Sequence, residues 1–224
     1  MIEWHITQHQ VALAGIVTDV GTGKALAGAD VTLVEMPAEF RRKVEGNLLK
    51  YGRGAGDAKD RLDRTQTRPD GLFYFVDLPS GNYTIVASVP KSAGRYASSK
   101  QSATVSRDAN GSLQKVFVNF ALQSTGFKGK ITATDGESGI AMADVRVKGG
   151  AERTFTDAQG EYVLPYLQPG RYTLSVRAQG YQPVEKSAAL ASAGDVEDVD
   201  FLLEKESAAS SFGQRAASKR TKGK

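Results

Sequence analysis

The residues best suited to catalysis are few. The chain holds two histidines, His5 and His9, and no cysteine. Both histidines stand in "HITQH", whose i, i+4 spacing would put two imidazoles on one face of a zinc-binding helix. Ile6 occupies the place of the glutamate that activates water in such a motif, Thr7 and Gln8 complete the interval, and no third ligand is near in sequence. The stretch therefore reads as a polar lead-in anchored by Trp4, the only tryptophan. The lack of cysteine removes thiol catalysis, disulfides and Cys-based zinc sites together.

A second cluster, Asp195, Glu197, Asp198 and Asp200, has the charge that calcium requires. Its alternation with Val196, Val199 and Phe201 instead predicts a strand whose apolar side chains turn inward and whose acids are solvated. No metal, cofactor or catalytic residue is expected, and the chain reads as a non-enzyme.

The formal charge of +4 is concentrated at one end. Arg215, Lys219, Arg220, Lys222 and Lys224 lie after Ser207 without an acid among them, so the rest of the chain is near neutral. A basic tail without periodicity predicts disorder, and nucleic acid is not an expected partner in the absence of a base-reading motif. No run approaches the roughly 20 apolar residues that span a bilayer. The first residues lack a basic n-region and a long apolar core, so a cytoplasmic location is expected, including one within a particle assembled there.

The elements that would position any site are strands. Apolar residues recur at every second position in Val11–Val17, at Val31 and Leu33, Phe73 and Phe75, Tyr83–Val89, and Val116–Leu122, separated by "DVGTGK", "RPDG", "LPSG" and "DANG". The pattern then repeats. "LAGIVTDVGTGKALAGADVTLV" aligns with "FKGKITATDGESGIAMADVRVK" at an offset of 114, and "DGLFYFVDLPSGNYTI" with "QGEYVLPYLQPGRYTL" at 89, so the first copy carries 25 additional residues between Leu33 and Gly71. Val118 and Phe120 align with Val199 and Phe201 at 81, which places 8 more before them.

The repeated Gly-x-Val, Gly-x-x-Val-x-Leu, Asp-x-x-Gly-x-aromatic and Leu-x-x-Gly-x-Tyr-x-Leu pattern resembles the carboxypeptidase regulatory-like domain. That resemblance implies an all-β chain of two tandem transthyretin-like (prealbumin-like) sandwiches, each a seven-stranded Greek key, related to the carbohydrate-binding-like fold. The expected organisation is a lead-in over 1–10, a first sandwich over 11–123 with an insertion at about 36–66, a second sandwich over 124–205, and a disordered basic tail over 206–224. The second copy fits better, including "RAQGYQP", where the first has "PKSAGRYASS". The transthyretin shape also hosts 5-hydroxyisourate hydrolases, but their C-terminal Tyr-Arg-Gly-Ser is replaced by "KRTKGK", and no histidine follows His9.

The insertion is the least family-like segment. "AEFRRKVEGNLLKYG" spaces Phe40, Val44, Leu48 and Tyr51 as one stripe of a short helix that Gly52 would stop. The helix either packs on its own sandwich or docks a partner, with Phe40, Leu48 and Tyr51 as apolar contacts and Arg41, Arg42, Lys43, Lys50 and Arg53 meeting acids. The function expected is binding or assembly with a protein partner, for example as an accessory component of a large bacterial or phage-tail-like assembly. The alternative is glycan binding through Tyr96, Tyr166 and Tyr181, with Tyr51 a further aromatic.

Overall fold

The structure is a computed structural model and describes residues 9–51, 61–134, 136 and 138–206. The chain divides into two compact units, Met1–Ser124 and Thr125–Lys224. The first contains β1 (Val11–Asp19), β2 (Asp30–Glu35), α1 (Ala38–Tyr51), β3 (Arg64–Gln66), β4 (Leu72–Val76), β5 (Gly81–Ser88), β6 (Ser99–Val105), β7 (Val116–Phe117) and β8 (Phe120–Leu122). One sheet has the order β4-β1-β7, with β8 also paired to β1, and the other β3-β2-β5-β6.

The second unit repeats this order with β9 (Gly126–Ala133), β10 (Asp144–Val147), β11 (Arg153–Phe155), β12 (Glu161–Pro165), β13 (Gly170–Arg177), β14 (Val184–Leu190), β15 (Val196–Asp198) and β16 (Phe201–Leu203). Its sheets are β12-β9-β15, with β16 paired to β9, and β11-β10-β13-β14. The period-two residues fill the space between each pair of sheets. Leu13, Val17, Val31, Leu33, Phe73, Phe75, Tyr83, Ile85 and Phe120 form one core, and Phe127, Ile131, Val145, Tyr162, Leu174, Val176 and Phe201 are central to the other.

Seven strands per unit are expected from the resemblance, but the last runs as two segments, both parallel to the first strand. The cause is the same in each unit. At the break the ladder acceptor is a side chain: Ile16 N–H donates to Asn119 Oδ1 (3.2 Å) and Lys130 N–H to Asp200 Oδ1 (2.7 Å). The displaced backbone presses on Gly15 and Gly129, where a Cβ would come within 1.8 Å of Val118 O and 2.3 Å of Val199 O, respectively. A glycine on the first strand is thus the condition for the bulge.

Two further devices are duplicated. Thr67 Oγ1 accepts from Ala29 N (2.8 Å) and donates to Leu26 O (2.5 Å), and Thr156 Oγ1 accepts from Ala143 N (2.8 Å) and donates to Ile140 O (2.6 Å). Each buried hydroxyl closes the turn before the second strand by satisfying backbone groups that water cannot reach. Tyr83 O–H donates to Pro79 O (2.8 Å), and Tyr172 O–H to Gln168 O (2.7 Å), fixing the turn into the longest hairpin.

Burial pushes the Tyr83 hydroxyl from 10.0 up to about 12, with Glu39 adding to the effect. Burial likewise raises Tyr162, whose O–H donates to Val199 O at 2.7 Å. Both phenols are held neutral in the folded state. The stability gained from Tyr83 is fully present below pH about 10 and is lost as pH rises toward about 12. In an alkaline titration the melting temperature of the first unit, followed by far-ultraviolet circular dichroism, should therefore fall across that window, with tyrosinate absorbance from these two residues delayed beyond pH about 10. Ionisation of every tyrosine near its ordinary pKa with the β spectrum intact would contradict the burial argument.

The insertion helix α1 carries Glu39 in its first turn, where the helix dipole favours an acid. Phe40 and Val44 are buried in the core of the first unit, and Leu48 packs against it. The Phe40 ring meets Tyr83 edge-on at 6.3 Å and 71°.

Candidate functional site

His9 donates from Nδ1 to Asp77 Oδ2, and Gln10 N–H donates to Asp77 Oδ1 at 2.9 Å. The His9 bond and then the Gln10 amide hold the Asp77 carboxyl below the usual carboxylate range. Among the described residues no hydroxyl is hydrogen-bonded to His9, so the pair clips the lead-in to the end of β4 and presents no nucleophile. His5 and Trp4 lie outside the described residues.

The acidic cluster is engaged by its own loop and by β9. Asp195 Oδ2 accepts from Ala191 N at 2.7 Å, Asp198 lies 3.6 Å from Lys128 Nζ, and Asp200 caps Lys130 as above. No group of three or more metal-ligating side chains occurs among the described residues.

Of the three tyrosines considered for glycan binding, Tyr96 belongs to the first unit and Tyr166 and Tyr181 to the second, where these two are not brought together. Tyr96 and Tyr181 are half-buried against the cores of their own units. Tyr166 is exposed in the turn before β13. Tyr181 follows the other end of that eight-residue strand, which at about 3.3 Å per residue separates the two by roughly 25 Å.

On α1, Arg41, Arg42 and Lys43 are exposed. Phe40 and Leu48 face the opposite way and anchor the helix to its sandwich, so they are not free to meet a partner. The stripe that suggested docking is satisfied by the core, as a short helix requires. The side chains of Lys50 and Tyr51, residues Gly52 and Arg53, and the tail from Ser207 lie outside the described residues.

A surface that the sequence patterns did not single out lies on the outer face of β4-β1-β7. β4 alternates Phe73 and Phe75, which are buried, with Leu72, Tyr74 and Val76, which are exposed. Tyr74 pairs with Ala14 and Leu72 with Ile16 on β1, and Ala14 pairs with Phe117 on β7. These six residues thus share one outward face, with Phe117 standing 74% exposed. At its margin the Arg68 guanidinium lies 5.0 Å from the Tyr74 ring centre, and Nη2 donates to the Tyr74 hydroxyl at 3.1 Å.

The second unit shows what this face looks like when it meets water. Lys128 and Lys130 stand where the first unit has Ala14 and Ile16, Glu161 and Pro165 stand for Leu72 and Val76, and Asp198 stands for Phe117. Lys128 pairs across the sheet with Val163 and Asp198, and Lys130 with Glu161. Val163, in the place of Tyr74, is the only apolar side chain among these besides Pro165. The signal in the sequence was "LFYFV", an unbroken apolar run on a strand that needs only one apolar face.

The fold and surfaces define a class, that of small tandem β-sandwich modules. Within it, residues 126–204 match the carboxypeptidase regulatory-like domain family, so the second unit is a domain of this kind. No curated protein matches the chain. Among solved structures, the chain is similar to the shaft pilin SpaA from Lactobacillus rhamnosus GG (13% identity, 89% of this chain, 99% of that one, TM-score 0.41). It is also similar to the TIE protein of Bacillus anthracis (18% identity, 87% of this chain, TM-score 0.40), of which it spans 34%. A type II cohesin-X-dockerin complex from Acetivibrio cellulolyticus is similar over 37% of this chain and 58% of that one (18% identity, TM-score 0.30).

Proposed function

We propose that the protein is a non-catalytic binding and assembly component, and that its first sandwich presents the outer face of β4-β1-β7 to a protein partner. The observation that carries this reading is the contrast between equivalent faces of two like modules. Lys128, Lys130, Glu161 and Asp198 keep one wet, while Ala14, Ile16, Leu72 and Phe117 leave the other apolar. A contiguous exposed apolar patch of this kind marks an interaction site more often than chance surface. The exposed Arg41, Arg42 and Lys43 on the rigidly anchored α1 supply a second contact, suited to an acidic partner and weakened by salt.

Affinity capture from the producing cells, with the tagged full chain as bait, tests this. Phe117→Asp combined with Ile16→Lys should remove at least one co-purifying protein that the wild type and Val163→Asp both retain. Charge reversal of the three helix residues should weaken salt-sensitive contacts only. Identical captured sets for all baits would refute the assignment of partner contacts to the first unit.

A further inference from the structure

The apolar face carries no charged side chain among Ala14, Ile16, Leu72, Tyr74, Val76 and Phe117. A surface without charge has no opposite sign to seek in a partner and is electrostatically compatible with itself. A face bearing one sign would repel its own copy.

Its relief is also self-complementary. Along β1 the small Ala14 is followed on the same face by the larger Ile16, and their neighbours on β4 are Tyr74 and Leu72. The two rows are separated by two residues, or about 6.6 Å along the strand. A twofold axis lying in the interface, across the strands and between these rows, sets Ile16 of each copy over Ala14 of the other, and Tyr74 over Leu72. Ile16 then falls opposite the small Ala14, and the side chains of the two faces can interdigitate as in face-to-face sheet packing.

The exposed area is that of a weak contact between copies. Leu72, Tyr74, Val76 and Phe117 are 45%, 43%, 38% and 74% exposed. For side chains of this size that is roughly 400 Å² per copy, at the scale of the largest patches on monomers. Two such faces would bury on the order of 800 Å², below the ~1,200 Å² of standard interfaces, which sets the association in the weak, concentration-dependent range.

We propose that the occupant of this face is a second copy of the chain, giving an isologous dimer through β4-β1-β7. This rests on the reading that the face is a protein-binding surface and names the partner. The axis brings the two β4 strands together, so Arg68 of each copy lies at the rim near its counterpart. The association should therefore hold or strengthen as salt rises, opposite to docking through the basic helix.

Sedimentation equilibrium on the full chain tests the proposal. The expected result is a monomer–dimer equilibrium below about 100 μM. Phe117→Asp should raise the dissociation constant at least tenfold with an unchanged circular dichroism spectrum, while Val163→Asp on the equivalent face of the second unit leaves it unaltered. Ile16→Lys serves as the second variant and should act as Phe117→Asp does. A chain that stays monomeric at that concentration, or a dimer indifferent to both face variants, overturns the proposal. If the chain is monomeric but Phe117→Asp still loses a different captured protein, the dimer is wrong and the binding face stands.

Discussion

Replacing Gly160 by valine is expected to abolish cooperative folding of the second unit. Gly160 adopts φ +79, a region that β-branched residues avoid. A Cβ there would also meet Gly139 Cα and Ile131 O at 2.6 Å each, both backbone atoms that cannot swing aside. The residue cannot relocate, because Gly160 N–H donates to Asp157 O at 3.1 Å and Gly160 O accepts from Ile131 N at 2.8 Å, joining the turn to β9. Strain and overpacking together should cost about 4 kcal/mol or more, a large share of the stability of a domain this small. Gly180→Val separates the two causes. Gly180 has a similar φ of +80, but an added Cβ would meet nothing within 4 Å, so strain alone should cost about 1–2 kcal/mol there. Denaturant unfolding followed by circular dichroism reads both. A Gly160→Val protein within about 1 kcal/mol of the wild type would mean that the turn tolerates what its geometry forbids.

The second large effect lies in the insertion. Phe40→Ala should destabilise the first unit by about 3–5 kcal/mol, because the ring is 3% exposed and its loss leaves a cavity against Tyr83. In melting temperature this is on the order of 10 °C or more for a unit of this size. Leu49→Ala, on the same helix but 86% exposed, should be nearly neutral. From loop-closure entropy alone, deleting Ala38–Arg64 would change stability little, since loop length enters only logarithmically. The structure changes that expectation. The deletion removes Phe40 and Val44 from the core, and it takes Arg64 out of β3, where its guanidinium pairs with Asp30. Thermal unfolding should thus show the deletion to be at least as damaging as Phe40→Ala, and a melting temperature close to that of the wild type for either variant would show that α1 is an ornament on a self-sufficient sandwich.

Much of this architecture was legible in the sequence because it depends on neighbours in the chain. Alternating residues in Val11–Val17 or Tyr83–Ala87, the "RPDG" and "DAQG" turns, and the offsets of 114, 89 and 81 between copies are all local or self-comparing signals. They specify strands, turns, two units and the inward set. The stripe Phe40, Val44, Leu48 specified a helix equally well, but periodicity left open whether its apolar side met the same chain or another.

What waited for the tertiary structure was which face of each sheet still meets water. Tyr74 and Phe117 are 43 residues apart in sequence, and only the pairing of both β4 and β7 with β1 sets them on either side of Ala14. The roles of Asn119 and Asp200 as ladder acceptors, and of Thr67 and Thr156 as buried turn clips, have the same origin. A polar side chain in a strand-rich sequence looks solvated until the fold brings a backbone donor from a distant strand against it. Sequence periodicity records which side of a strand is apolar, but contact between strands far apart in the chain is set by register, and register is decided by the packing of the whole sandwich.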